Sequence, residues 1–159
     1  DKVLVEPTKT GYTFKGWEVI VGNADVTNIL NSTIHADYVG GGFIYTADGD
    51  IEISNCNTYN TSYDGRIAGF IFDLGISTNT TATITNSNIY GGSFLSSSSS
   101  GFVERSGTNT TLNIENCNIT STGLGSIIGD VICNGNVNNV IYNESVTLIK
   151  NPNHNLTWL

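Results

Sequence analysis

The stretch "TLNIENCN" at residues 111–118 has near copies at "DIEISNCN", residues 50–57, and "TATITNSN", residues 81–88. A weaker fourth copy, "NVNNVIYN", spans residues 136–143. The register of the first three is tight. Ile53, Ile84 and Ile114 share a column, followed by Asn55, Asn86 and Asn116, then Cys56, Ser87 and Cys117, then Asn57, Asn88 and Asn118. A glycine-led apolar triplet precedes each copy or follows the last loop: "GFI" at Gly42, "GFI" at Gly69, "GFV" at Gly101 and "GSI" at Gly125, with a period of 24 to 32 residues. Self-similarity at this period is the mark of stacked repeats. In a β-solenoid each coil lies about 4.8 Å above the last, so equivalent residues form ladders. Stacked asparagines hydrogen-bond along the axis through their amides, and a small Cys or Ser fits a tight inward corner.

Local pattern agrees with strands. In "TATIT" and "TLNIE" every second residue is apolar, small or Thr, as a half-buried strand requires. Clusters of Gly and Asn ("YVGGG", "ADGD", "YGG", "STGLG", "CNGN") separate the strands and supply residues that tolerate positive φ at corners. No segment holds helical periodicity over three turns, and "SSSSS" at residues 96–100 reads as a surface loop. The expected fold is all-β: a right-handed parallel β-solenoid of three to four irregular coils with a short N-terminal β cap. The cap is placed at residues 1–38, the coils at 39–150, and a tail or linker at 151–159.

Charge narrows the partners. The net charge is −8, with six Lys and Arg, and nucleic-acid binding needs a basic footprint that displaces counterions. No run of about 18 apolar residues is present, so no membrane span is expected. Methionine is absent, including at position 1, so the chain is expected to be a processed product or part of something longer. The three cysteines, Cys56, Cys117 and Cys133, have no zinc spacing. Buried free thiols are the expectation. Cys56 and Cys117 should lie two coils apart, about 9.6 Å at the coil spacing above. A disulfide needs Cα atoms within about 7 Å, so this pair should stay reduced.

Two resemblances follow from these motifs. "GLGSIIGDV" at residues 123–131 and "AGFIFDLG" at 68–75, with their following I-x-N-C/S-N strands, resemble the GLUG motif, a short repeat of large surface proteins. The resemblance covers roughly residues 39–142; Phe stands where the name-giving Leu would be in most copies. "EPTKTGYTFKGWEV" at residues 6–19 resembles the end of a Listeria–Bacteroides (internalin B-type) repeat, through Pro7, Gly11, Tyr12, Phe14, Gly16 and Trp17. Both resemblances imply an extracellular or cell-surface location and a role in attachment or multidomain stalks.

Candidates for chemistry are sparse. His35 and Asp37 lie two apart and share a face in a strand, but no third group or nucleophile elbow accompanies them, and a surface histidine is expected. His154 is expected in the tail. Asp48 and Asp50 flank Gly49 without the further ligands of a calcium loop, which reads as a solvated turn. With Arg66 and Arg105 the only arginines, the charged cluster of a solenoid polysaccharide lyase or hydrolase is hard to assemble. No catalytic residue, metal ligand or cofactor is expected. Seven Asn-x-Ser/Thr sites occur, at Asn31, Asn60, Asn79, Asn109, Asn118, Asn143 and Asn155; they are glycosylation candidates, the loop sites Asn60, Asn79 and Asn109 foremost. Thr81 and Thr83 align with Thr111 and Asn113, as in the Thr arrays of ice-binding solenoids, but Asp50 and Glu52 interrupt the array.

The expected function is therefore a non-enzymatic extracellular structural or adhesive module: a stalk, an adhesin or a surface-filament subunit. Its partners would be other modules of the same polypeptide or copies of itself, with glycans or a host surface as possible targets. The alternative is a carbohydrate-binding or carbohydrate-active solenoid, using tyrosines such as Tyr59, Tyr63 and Tyr90; ice binding ranks below it.

Overall fold

The computed structural model describes residues 26–38, 42–63, 68–75, 79–95, 97–123, 125–151 and 153–159. The first coils comprise β1 (Val26–Leu30), β2 (Thr33–Tyr38), β3 (Ile44–Ala47), β4 (Asp50–Ser54), β5 (Asn57–Tyr63) and β6 (Ile71–Leu74). The middle contributes β7 (Thr80–Thr85), β8 (Asn88–Tyr90), β9 (Ser93–Phe94), β10 (Ser100–Ser106), β11 (Thr110–Ile119), β12 (Thr122–Gly123) and β13 (Ser126–Asp130). The last are β14 (Asn134–Tyr142), β15 (Thr147–Ile149) and β16 (Asn155–Trp158). There is no helix among the described residues, and the strand ladders are parallel.

The molecule is a parallel β-solenoid. One wall stacks β1-β4-β7-β11-β14-β16, with the sequence columns in direct register: Ile29, Ile53, Ile84, Ile114 and Val137 follow one another. A second wall stacks β2, β5, β8 and the end of β11. The third is a separate sheet ordered β15-β13-β10-β6-β3. Alternation sets which side chains face inward, because successive strand residues point to opposite faces. In β7 the pattern leaves Ala82 and Ile84 buried and Thr81 exposed.

The glycine triplets make the third wall possible. Phe43, Phe70 and Phe102 stack up the interior, with ring centroids 5.2 Å and 5.4 Å apart. The glycines before them bring backbones together: a Cβ on Gly69 would lie 2.6 Å from the Gly101 carbonyl oxygen. No side chain fits there, which accounts for the triplet's first letter.

Both ends of the stack differ from the expected boundaries. Within residues 26–38, expected as cap, β1 and β2 pair with β4 and β5 as a further coil. The reason is legible afterwards: Ile29, Asn31 and Ser32 repeat the Ile-x-Asn-Ser corner. Residues 151–159, expected as a tail, supply β16, which pairs with β14 from Asn134 to Val137. The segment resembling the Listeria–Bacteroides repeat lies outside the described residues, as do Tyr12, Arg66 and the side chain of Tyr63.

Candidate functional site

The corner after the first wall is the most regular feature. Asn31, Asn55, Asn86, Asn116 and Asn139 occupy it on successive coils, with φ between 47° and 54°. This left-handed conformation disfavours most L-residues, and Asn tolerates it because its short polar side chain bonds locally. The next residue closes the corner. Ser32, Cys56, Ser87 and Cys117 each donate a hydrogen bond to the carbonyl two residues back, at 3.0, 3.3, 2.7 and 3.2 Å. Ser87 Oγ also accepts the Cys56 backbone N–H at 3.1 Å, tying two coils. Backbone bonds continue coil to coil through the turn, from the Asn31, Asn55 and Asn86 N–H groups to the carbonyls of Ser54, Thr85 and Glu115.

Cysteine and serine are thus interchangeable here as small donors. Cys56, Cys117 and Cys133 are buried free thiols. Burial raises the pKa of all three despite backbone hydrogen bonds that act the other way on Cys56 and Cys117, and pushes Cys117 up to about 11. A thiol held protonated is a poor nucleophile and a poor metal ligand.

Asparagines just past the corner, and two in the corner itself, form amide contacts along the axis. Asn88 Nδ2 donates to Asn57 Oδ1 at 2.8 Å, in the column that continues to Asn118. Asn139 Nδ2 donates to Asn116 Oδ1 at 2.8 Å. On the outer face of the first wall, Glu52, Thr83, Asn113, Asn136 and Thr157 form a column. Asp50 accepts the Thr81 backbone N–H at 2.8 Å, so that acid serves the neighbouring coil.

The sequons fall in different settings. Asn79 and Asn109 are exposed just before β7 and β11, and Asn31, Asn143 and Asn155 are also exposed. Asn143 Oδ1 accepts the Ser145 N–H at 3.0 Å, a local turn. Asn118 is half-buried within its column. Asn60 lies in β5, its side chain outside the described set. His35 lies in β2 with its backbone opposite Tyr59, and His154 Nδ1 accepts the Leu156 N–H at 3.1 Å.

The third wall carries groups that the repeat columns did not single out. Arg105 on β10 binds the Asp73 carboxylate on β6 through both Nε and Nη2. That hydrogen-bonded carboxylate holds the guanidinium charge more firmly, its pKa raised above the ordinary value. Arg105 also lies 5.0 Å over the Phe72 ring, and the exposed Tyr45 stacks on Phe72 at 4.9 Å. Beside them the buried Glu104 faces Lys150 at 3.7 Å. Gly129 leaves room for that carboxylate, since a Cβ there would meet Glu104 Oε2 at 2.4 Å. The signal was present in the aligned "FIFD" and "FVER", where Asp73 and Arg105 fall opposite one another. On the second wall Tyr59 and Tyr90 stack on each other at 4.9 Å. Among the described residues no three His, Cys, Asp or Glu side chains group as metal ligands, and no helix is long and apolar enough to cross a membrane. No protein-family model, curated protein or solved structure matches the chain.

Proposed function

We propose that the chain is a non-enzymatic structural or adhesive module of an extracellular or cell-surface protein, a stalk, adhesin or filament subunit of the GLUG-repeat kind. The observation that carries this reading is the axial ladder itself. Its Asn, Ser and Cys side chains are engaged coil to coil, making a stiff rod with polar walls. The small share of charged residues, 13%, and the two resemblances to surface repeats point the same way. An antibody raised against the chain should label intact source cells, and the chain should leave polysaccharides uncut. Labelling only after lysis, or measurable polysaccharide turnover, overturns the reading.

A second reading, carbohydrate binding, is favoured by one observation. Tyr45 is 53% exposed and is held flat by Phe72. A fixed ring of this sort is suited to stacking on a sugar. Saturable binding on a glycan array that Tyr45→Ala abolishes would select it.

A further inference from the structure

We infer that Tyr59 and Tyr90 form a covalent modification site, where one-electron oxidation joins the two rings as a dityrosine that staples successive coils of the second wall. Tyr59 on β5 and Tyr90 on β8 are direct partners in a parallel ladder. Register partners on parallel strands point the same way, with backbones ~4.8 Å apart. Their neighbours Thr58 and Ile89 face inward and are fully buried, so the two tyrosines face out. The rings are stacked, with centroids 4.9 Å apart and planes 25° from parallel. Tyr59 is 40% exposed and Tyr90 is half-buried. The fold thus brings two phenols together at the surface, where a soluble oxidant reaches them.

The remaining described tyrosines have other ladder neighbours. Tyr45 stacks on Phe72, which has no hydroxyl to oxidise. Tyr142 lies opposite Ile119, and by backbone register Tyr38 and Tyr63 lie opposite Ser62 and Phe94. The three thiols are free and buried. No disulfide therefore ties these coils together, and no sulfur stands at the surface to intercept a phenoxyl radical.

The co-substrate is hydrogen peroxide, used by a haem peroxidase in the oxidising surroundings that the surface-module reading implies. Each phenol gives up one electron and its hydroxyl proton and becomes a phenoxyl radical. An ortho carbon of one ring then bonds to an ortho carbon of the other. The hydrogen on each of those carbons moves to the adjacent oxygen, which restores both phenols. The two electrons and two protons released reduce one peroxide to two waters. The product closes a loop of 90 − 59 = 31 residues. Like a disulfide of that span, it restricts the unfolded chain and so stabilises the folded one.

Only the supply of oxidant rests on the surface-module reading; the coupling is tested on the purified 159-residue chain. Dilute chain treated with a haem peroxidase and hydrogen peroxide should give a fluorescent product of single-chain size, lighter by the two hydrogen atoms lost. After tryptic cleavage at Lys15, Arg66 and Arg105, the segment 67–105, whose one tyrosine is Tyr90, should be joined to segment 16–66 at Tyr59. The linked chain should melt at a higher temperature than the untreated one. Tyr90→Phe keeps the ring, so it should keep the parent circular dichroism while abolishing the link. Tyr45→Phe should leave the yield of the link unchanged. No single-chain product, a link at a different pair of tyrosines, full yield in Tyr90→Phe, or an unraised melting temperature overturns the inference. None of these results touches the surface-module reading, which rests on cell labelling and the absence of turnover.

Discussion

Asn86 holds φ at 50°, in the middle of the corner column. For a residue with an ordinary Cβ this conformation costs roughly 1–2 kcal/mol. Asn86→Ala should destabilise by about that amount, and Asn86→Gly much less, as read by urea unfolding. Equal losses in the two variants would show that the side-chain amide, not the backbone, matters there. Cys117 offers a second test at this scale. Its thiol is shifted from 9.0 up to about 11 because burial disfavours the thiolate. The unfolded chain therefore loses this proton first as pH rises. The stabilisation is complete below pH 9 and disappears as pH climbs towards 11, a loss of ~2–3 kcal/mol. Cys117→Ser should flatten that alkaline fall while keeping the corner bond that Ser87 already makes at the equivalent position. An unchanged alkaline profile in the serine variant would refute the assignment.

A strand of the first wall is held by the coil on each side and by its inward column. Ile84 is fully buried between Ile53 and Ile114. Ile84→Ala should cost about 2–5 kcal/mol, the range for deleting a buried aliphatic side chain. Gly69→Ala tests the third wall, where a methyl group meets the Gly101 carbonyl; overpacking of this kind costs about 1–3 kcal/mol. A melting temperature equal to the parent's would mean that the two backbones separate freely. These elements were legible because each column repeats one residue type, and repetition reveals register without any knowledge of three-dimensional contacts. The strands β4, β7, β11 and β14 were found that way. β1 and β16 were missed for a physical reason. β1 keeps the Ile and the Asn-Ser corner but lacks the second asparagine, with Thr33 in its place, and β16 ends before any corner. The Arg105–Asp73 and Glu104–Lys150 pairs were also missed, because opposite charges in register share no identity for a repeat search to detect.

At the scale of the whole molecule, stability is a sum of coils and the interfaces between them. β7 and β11 have neighbours on both sides, whereas β15 and β16 have one described neighbour each. Hydrogen exchange should therefore be slowest in β7 and β11 and fastest towards β16. Uniform protection would indicate that the rod opens only as a unit. The expected extracellular role leaned on resemblance and the small share of charged residues, and neither of these is a geometric property of the coils. Near-identical corners also create a hazard: a folding chain can skip a coil and still align Ile on Ile and Asn on Asn. The ion pair on the third wall opposes that error. Arg105 stands between Asp73 and Asp130 in register. If β10 were looped out, the two aspartates would stack about 4.8 Å apart with no cation between them, and like charges in direct opposition are destabilising. Arg105 thereby distinguishes one coil from its look-alikes, serving as a proofreading mark for the order in which the coils are laid down.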